Sequence, residues 1–125
     1  VQLTELGASG VFFDGLDARF KCLQWHSAEV TKLPNDVQIL ATSEKCSVQA
    51  IRWGTRAHSV QFHFEVEDET VGNWASIKEY KKALEVAMGP TGVETLQKAC
   101  EENMVNFKSN AERVYLNWMQ TSART

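Results

Sequence analysis

The sequence predicts an α/β domain in which a run of mostly antiparallel strands is followed by two C-terminal helices. Four short segments alternate apolar and polar residues with the period of two that a half-buried strand requires: Phe20–Trp25, Val37–Thr42, Val48–Trp53 and Ala57–Phe62. No helical segment separates them, which favours antiparallel pairing because a parallel pair needs a long crossover connection. After Asp68 the apolar residues recur at steps of three and four, the spacing of one helical face. We therefore expect one domain over residues 1–125, with strands between about 19 and 63 and helices over about 70–88 and 92–120.

The N-terminal region is predicted to consist of short pieces. Val1–Thr4 alternates like the end of a strand, and the glycine-rich segment Gly7–Gly10 closes it. Val11–Phe13 is short and apolar, so we expect a loop or a single helical turn that buries one of its phenylalanines. In the strand predicted for Phe20–Trp25, Cys22 shares a face with Phe20. The residue types favour a small buried cysteine there over a nucleophile.

Turn residues divide the later strands. Asn35-Asp36 precedes the strand Val37–Thr42, and Gly54-Thr55 separates the last two strands. A short glycine-containing connection between two alternating segments is typical of a β-hairpin.

Two helices follow. Acidic residues at 67–69 lie near the expected start of the first, where the helix dipole favours them, and Gly89-Pro90 ends it. Thr91 and Glu94 form a capping-box pattern at the start of the second. Its apolar residues form one narrow seam: Val93, Leu96, Cys100, Met104, Phe107, Ala111, Val114 and Trp118. Such a seam either packs on the chain's own sheet, which we favour, or forms a coiled-coil contact with another chain.

Composition narrows the function classes. The net charge of −3 and the pI near 5.6 argue against a surface that binds nucleic acid. No apolar run approaches the ~18 residues of a membrane span. The three cysteines are odd in number and lack Cys-x-x-Cys spacing, which disfavours a disulfide framework or a zinc knuckle. We expect a reducing cytoplasm, no cofactor and no metal.

His63 and Glu65 are the best candidates for chemistry. They are two residues apart at the end of an alternating segment, so both side chains can lie on the same side of an extended chain. A carboxylate beside an imidazole fixes its tautomer, which is what a nucleophile needs from its general base. The plainer alternative is an ordinary strand end. A weaker one is a metal site formed with His58 and Glu67, but residues 58 and 63 would point to opposite faces of one strand.

The surrounding residues resemble a known family. Gln61-Phe62-His63-Phe64-Glu65 resembles the Gln-Phe-His-Pro-Glu signature of the class I glutamine amidotransferases. Upstream, residues 24–30 (Gln-Trp-His-Ser-Ala-Glu-Val) with Leu33-Pro34 resemble that family's His-Ser-x-Asp-x-Val-x-x-Leu-Pro stretch. Residues 39–43 and 46–50 are similar to the segment that lies between these two blocks.

The resemblance implies a fold and a site. It points to the C-terminal part of a flavodoxin-like glutamine amidotransferase domain, similar to the glutaminase part of GMP synthase. His63 would be the proton-transferring residue of a Cys-His-Glu triad, and Glu65 would orient it. His26 and Ser27 would bind the substrate, which is glutamine or another γ-glutamyl compound. The alternative for the 26–34 loop is that Ser27 and Glu29 only satisfy backbone groups of the turn.

Two departures from the family pattern limit this prediction. Phe64 stands where the family has proline, and the family's Gly-x-Cys-x-Gly nucleophile block is absent. The chain also begins without methionine, in strand-like sequence. We therefore expect a partial domain that is inactive alone and that forms a homo-oligomer or associates with a missing N-terminal half. The alternative is a non-enzymatic, truncated relative that acts as a self-associating or binding module. Neither nucleic acid nor a membrane is an expected partner.

Overall fold

The computed structural model describes the backbone of residues 1–123 and the side chains of residues 1–121. The fold is α/β, as predicted, with the strands grouped before the long helices. The elements in chain order are β1 Gln2–Leu3, α1 Glu5–Ser9, β2 Val37–Ser43, β3 Cys46–Trp53, β4 Ala57–Val60, α2 Thr70–Ala75, α3 Lys78–Met88 and α4 Gly92–Ala123.

The strands form one antiparallel sheet in the order β1-β2-β3-β4. The predicted hairpin is confirmed: β3 and β4 pair from Trp53 opposite Ala57, and Gly54 has the positive φ of 62° that its turn requires. In α1, Thr4 acts as the N-cap, since its Oγ1 accepts a hydrogen bond from the Gly7 N–H at 3.0 Å. The same hydroxyl donates to the Ile39 carbonyl at 2.8 Å, which fastens α1 to β2.

The strand predicted for Phe20–Trp25 is wrong. This segment makes only isolated bridges, Gln2 with Arg19 and Leu23 with His63. Its two ends pair with different parts of the chain, so no ladder can extend between them. A similar change of partner ends β4 at Val60 instead of Phe62. Beyond it, the Gln61 N–H still donates to the Gln49 carbonyl at 2.9 Å, and His63 pairs with Leu23.

The single helix predicted over 70–88 is divided in two. Ile77 has extended backbone angles, φ −81° and ψ 115°, so α2 stops before it and α3 starts after it. Both helices pack against α4, and this bend allows each to do so with its own buried residue, Val71 in α2 and Leu84 in α3. The predicted end of the first helical region at Gly89 is confirmed, because Gly89 has φ 86° and its N–H donates to the Glu85 carbonyl.

The seam of α4 is buried against the chain's own core, which confirms the favoured interpretation. Its buried members are Cys100, Met104, Phe107 and Val114. They share one core with a cluster of phenylalanines whose ring centroids are 5.3 to 6.4 Å apart: Phe13, Phe20, Phe62 and Phe64. The seam ends before Trp118, which is 42% exposed.

Asn117 is a buried polar residue that the seam pattern did not predict. Its Nδ2 donates hydrogen bonds to the carbonyl oxygens of Phe12 and Asp14, at 3.1 and 2.8 Å. These bonds attach the C-terminal half of α4 to the turn after α1, where both Phe12 and Phe13 are buried instead of the one that was expected. None of the helices in the described part of the chain has the length and hydropathy needed to cross a bilayer.

Gly7 should be far less tolerant of substitution than Gly72, although both lie in short helices. A Cβ at Gly7 would be 2.0 Å from the Leu40 carbonyl oxygen, whereas a Cβ at Gly72 meets nothing within 4 Å. We expect Gly7→Ala to lower the free energy of unfolding by about 1–3 kcal/mol, because the backbone must shift. The matched Gly72→Ala should raise it by about 0.5–1 kcal/mol. Urea denaturation followed by circular dichroism measures both, and equal effects would contradict the packing of α1 on β2.

Candidate functional site

His63 and Glu65 form a hydrogen-bonded pair. The His63 Nδ1 lies 2.6 Å from the Glu65 Oε1. A carboxylate can only accept here, so Nδ1 carries the proton and Nε2 is the ring nitrogen left for a substrate or nucleophile. The side chains are 31% and 63% exposed, and at that exposure solvent screens the charge interaction. The pair therefore orients the imidazole more than it stabilises the fold.

Phe64 holds the carboxylate in place through its backbone. Its N–H donates to the second carboxylate oxygen, Glu65 Oε2, at 3.0 Å. Proline at this position could not make that bond, since it has no N–H. The departure from the family signature thus removes proline's fixed φ but adds a hydrogen bond to the same carboxylate. The phenyl ring meanwhile packs in the core, 6% exposed.

The main chain of His63 is fixed by Leu23. The Leu23 N–H donates to the His63 carbonyl at 2.7 Å, and the His63 N–H donates to the Leu23 carbonyl at 2.9 Å. This reciprocal pair brings the loop after Leu23 beside the end of β4. The edge of the His63 ring also packs against Trp74, with centroids 5.0 Å apart and planes at 74°. His63 is thereby positioned from three separate segments of the chain.

A cleft of about 500 Å³ opens beside His63. It is lined by three of the four residues predicted for the site, namely His26, Ser27 and His63. Glu65 does not line it and contacts the Nδ1 of His63 instead. The cleft's apolar and aromatic wall comes from the loop and from α2 and α3: Trp25, Trp74, Tyr80, Ala83, Leu84 and Ala87.

His26 uses both ring nitrogens within its own loop. Nδ1 lies 2.8 Å from the Ala28 carbonyl oxygen, and Nε2 lies 2.8 Å from Gln24 Oε1. These contacts order the loop, so a ligand would have to displace one of them to bind the ring. Ser27 is exposed beside the cleft, as is Glu29.

Sequence reasoning missed Gln24 and Gln49. Gln24 Oε1 also accepts from Gln49 Nε2 at 3.2 Å, and Gln49 Nε2 donates to Ser43 Oγ at 3.0 Å. Gln49 is only 2% exposed. The signal that could have found it is a glutamine inside the apolar strand β3, because a buried amide needs hydrogen-bond partners. The polar chain from His26 to Ser43 joins the loop to the sheet.

The three cysteines lie elsewhere. All of them line a larger cavity of about 920 Å³ that α4 and the sheet border, and His63 does not line that cavity. Burial raises the pKa of Cys22 to about 11 and also raises the pKa of Cys100. Both thiols are therefore protonated at neutral pH and are poor nucleophiles. Cys46 is buried, and its Sγ–H is directed to the Val48 carbonyl.

The metal alternative is not supported. His58 stacks on Phe12, with ring centroids 4.2 Å apart, and burial lowers its pKa. His63 instead faces the cleft beside Trp74. Within residues 1–121 no three histidine, cysteine or carboxylate side chains come together as metal ligands.

The profile of the family described as glutamine amidotransferase class-I matches residues 2–82 of this chain. This range covers the whole sheet, the loop with His26 and the His63–Glu65 pair. No solved structure matches the chain.

Among curated proteins, the similar relatives are archaeal subunits of a glutamine-hydrolyzing GMP synthase. The chain is 37% identical over 62 residues to the subunit from Methanothermobacter thermautotrophicus, which is 49% of this chain and 33% of the relative. It is 34% identical over 68 residues to the corresponding protein of Methanosphaera stadtmanae, 54% of this chain and 36% of the relative. In Methanocaldococcus jannaschii the identity is 37% over 62 residues, with 49% and 33% covered. The chain therefore spans about a third of the length of the relatives it matches.

The His63–Glu65 bond should be visible as a tautomer preference. We expect neutral His63 in the 125-residue chain to be mostly the Nδ1–H form, read from the imidazole nitrogen shifts in a long-range ¹H–¹⁵N spectrum. Glu65→Gln should reduce that preference because it replaces the charged acceptor. Glu67→Gln, at the next exposed glutamate, is the control and should change nothing. A predominant Nε2–H form in the unmodified chain would show that the pair does not form.

Proposed function

The chain belongs to the class I glutamine amidotransferase family, and we propose that it supplies the histidine and glutamate half of a catalytic site that hydrolyses glutamine or a related γ-glutamyl amide. The observation that carries this proposal is the 2.6 Å bond between His63 Nδ1 and Glu65 Oε1 at the edge of a cleft. It is the arrangement of an oriented general base with Nε2 available for a nucleophile.

The nucleophile has to come from outside the described chain. None of its three cysteines lines the cleft at His63, and two of them have raised pKa values. In the family the nucleophile is the cysteine of a Gly-x-Cys-x-Gly block, which this sequence lacks. We infer that a complementing segment supplies that thiol, either as part of a longer chain or as a separate protein. Without it, the chain is inactive.

The proposed reaction assigns each residue one task. The thiol attacks the carbonyl carbon of the side-chain amide while His63 Nε2 accepts the thiol proton. His63 then donates that proton to the amine that leaves, and a water molecule, deprotonated by the same nitrogen, hydrolyses the thioester. Glu65 keeps Nδ1 protonated and the ring oriented throughout. The scheme needs no cofactor.

Substrate binding is assigned to the loop at the cleft. His26 and Ser27 both line it, and Ser27 has the accessible hydroxyl, so His26 contributes by shaping the loop. The relatives carry "glutamine-hydrolyzing" in their names, which supports glutamine as the substrate of the completed domain.

The setting follows from composition. The three cysteines are free thiols, which is typical of a reducing compartment, and we infer the cytoplasm. The net charge of −3 does not favour a nucleic-acid partner, and we propose none, nor a membrane partner.

Activity should depend on the complementing segment. We expect no ammonia release from glutamine by the 125-residue chain, and release by a protein that also contains the region encoded before Val1. In that longer protein, His63→Ala should lower kcat by about 10²–10⁴-fold because the proton transfers are lost. Glu67→Gln is the matched control and should keep full activity. Coupled detection of ammonia measures all of these. A longer protein without a Gly-x-Cys-x-Gly block, or activity of the 125-residue chain that His63→Ala abolishes, would contradict the proposal.

A second candidate function is self-association without catalysis. It is favoured by apolar side chains on the outer face of α4 and by the exposed edge strand β4. Val105 is 83% exposed, and Leu116 and Met119 are 47% and 44% exposed. Residues 105, 116 and 119 fall on one helical face. Unpaired strand edges and exposed apolar surface both recruit partners.

Association should therefore be detectable and should depend on α4. We expect static light scattering to show a dimer or larger species at micromolar to millimolar concentration, and Leu116→Glu to shift it toward monomer because a charge in an apolar contact is costly. Val86→Glu is the control, since Val86 is 82% exposed but lies on α3. A monomer at every concentration would contradict self-association.

A further inference from the structure

The aromatic residues beside His63 form a continuous row along the cleft. Trp74 packs edge-on against His63 at 5.0 Å, and Trp25 packs edge-on against Trp74 at 5.4 Å, with planes at 76°. Tyr80, on α3, also lines the cleft and is 49% exposed. The arrangement leaves a ring-lined surface next to the imidazole that the proposed reaction uses.

The two sides of the cleft differ in polarity. The loop at 24–27 and His63 supply its hydrogen-bonding groups, whereas the α2–α3 side is apolar apart from the Tyr80 hydroxyl. Of the described residues that line the cleft, none is Asp, Glu, Lys or Arg. A charged group placed against the α2–α3 side would lose its hydration without gaining a partner, which is strongly unfavourable.

A γ-glutamyl amide has two ends that match these two sides. The glutamyl end carries an ammonium and a carboxylate, so it needs the polar loop. The other end is the amine that leaves after the amide bond breaks at His63. The cleft volume of about 500 Å³ is in the range that holds drug-sized ligands, roughly 300–1,000 Å³. Ammonia, the amine released from glutamine, would leave the aromatic side unused.

We propose that the cleft selects γ-glutamyl amides whose amine carries an uncharged aromatic or apolar group, with Trp25, Trp74 and Tyr80 as the residues that contact this group. The assignment rests on the proposed amide hydrolysis. Aromatic side chains gain from packing on one another beyond the area they bury. A pocket built for an apolar group discriminates against a charged one of similar size by leaving its charge unpaired.

The 125-residue chain can be tested directly, because binding does not require the nucleophile. Three probes differ only in the amine: γ-glutamylanilide, γ-glutamylglycine and glutamine. Titrations are followed by the indole N–H signals in ¹H–¹⁵N spectra. Trp25 and Trp74 line the cleft, whereas Trp53 and Trp118 do not and act as internal controls. The Trp53 indole N–H is also bonded to Asp36.

We expect the anilide to shift the Trp25 and Trp74 signals and to bind at least about tenfold more tightly than either other probe, as one buried ring contact allows. Tyr80→Ala should weaken anilide binding by about two- to tenfold and leave glutamine binding unchanged. Tyr115→Ala is the control, since Tyr115 is 57% exposed on α4 and does not line the cleft.

Two results would overturn the inference: equal affinity for the three probes, or anilide shifts of equal size at Trp53 and Trp118. If the completed protein releases ammonia from glutamine while the anilide shows no preference, the substrate assignment is wrong and the proposed reaction stands. If the anilide binds preferentially but the completed protein hydrolyses neither compound, the ligand preference is supported and the proposed reaction is overturned.

Discussion

The reciprocal backbone hydrogen bonds between Leu23 and His63 are the constraint on which the site depends. They join two segments that are forty residues apart in the numbering, at N···O distances of 2.7 and 2.9 Å. One segment brings the loop that lines the cleft, and the other brings the imidazole. Beneath them Leu23 and Phe62 are each 2% exposed, so hydrophobic burial holds the junction in place. Without this pair of bonds the loop at 24–27 would have no fixed relation to His63.

The dyad illustrates how local hydrogen bonds can substitute for a residue that sequence comparison expects. Proline in the family signature would restrict the backbone through its ring. In this chain Phe64 is anchored by its buried phenyl ring, and its N–H holds the second oxygen of Glu65. The carboxylate therefore has one oxygen on His63 and the other on the main chain. An exposed pair of this kind contributes little to stability, and its value lies in the orientation of the imidazole.

The long helix α4 determines where the far wall of the cleft stands. Its seam covers the phenylalanine cluster, and its buried Asn117 ties its C-terminal half to the turn at 11–16. Helices α2 and α3 both rest on it, with the chain bent at Ile77 between them. That bend places Trp74 on one helix and Tyr80 on the other, and both line the cleft. A continuous helix over 70–88 could not present both in the same way.

Local sequence patterns were enough to predict the fold class, three of the four expected strands, the hairpin at Gly54 and the burial of the α4 seam up to Val114. They also predicted the contact between His63 and Glu65, because side chains two apart in an extended segment lie on the same side whatever surrounds them. Long-range packing set the remaining features. Residues 20–25 lack a continuous partner, the helix at 70–88 bends at Ile77 to pack on α4, and His26 uses both nitrogens within its own loop. Long-range packing also gathered the cysteines into a cavity that His63 does not line. These outcomes depend on which distant segments meet, and a pattern of local periodicity carries no information about such meetings.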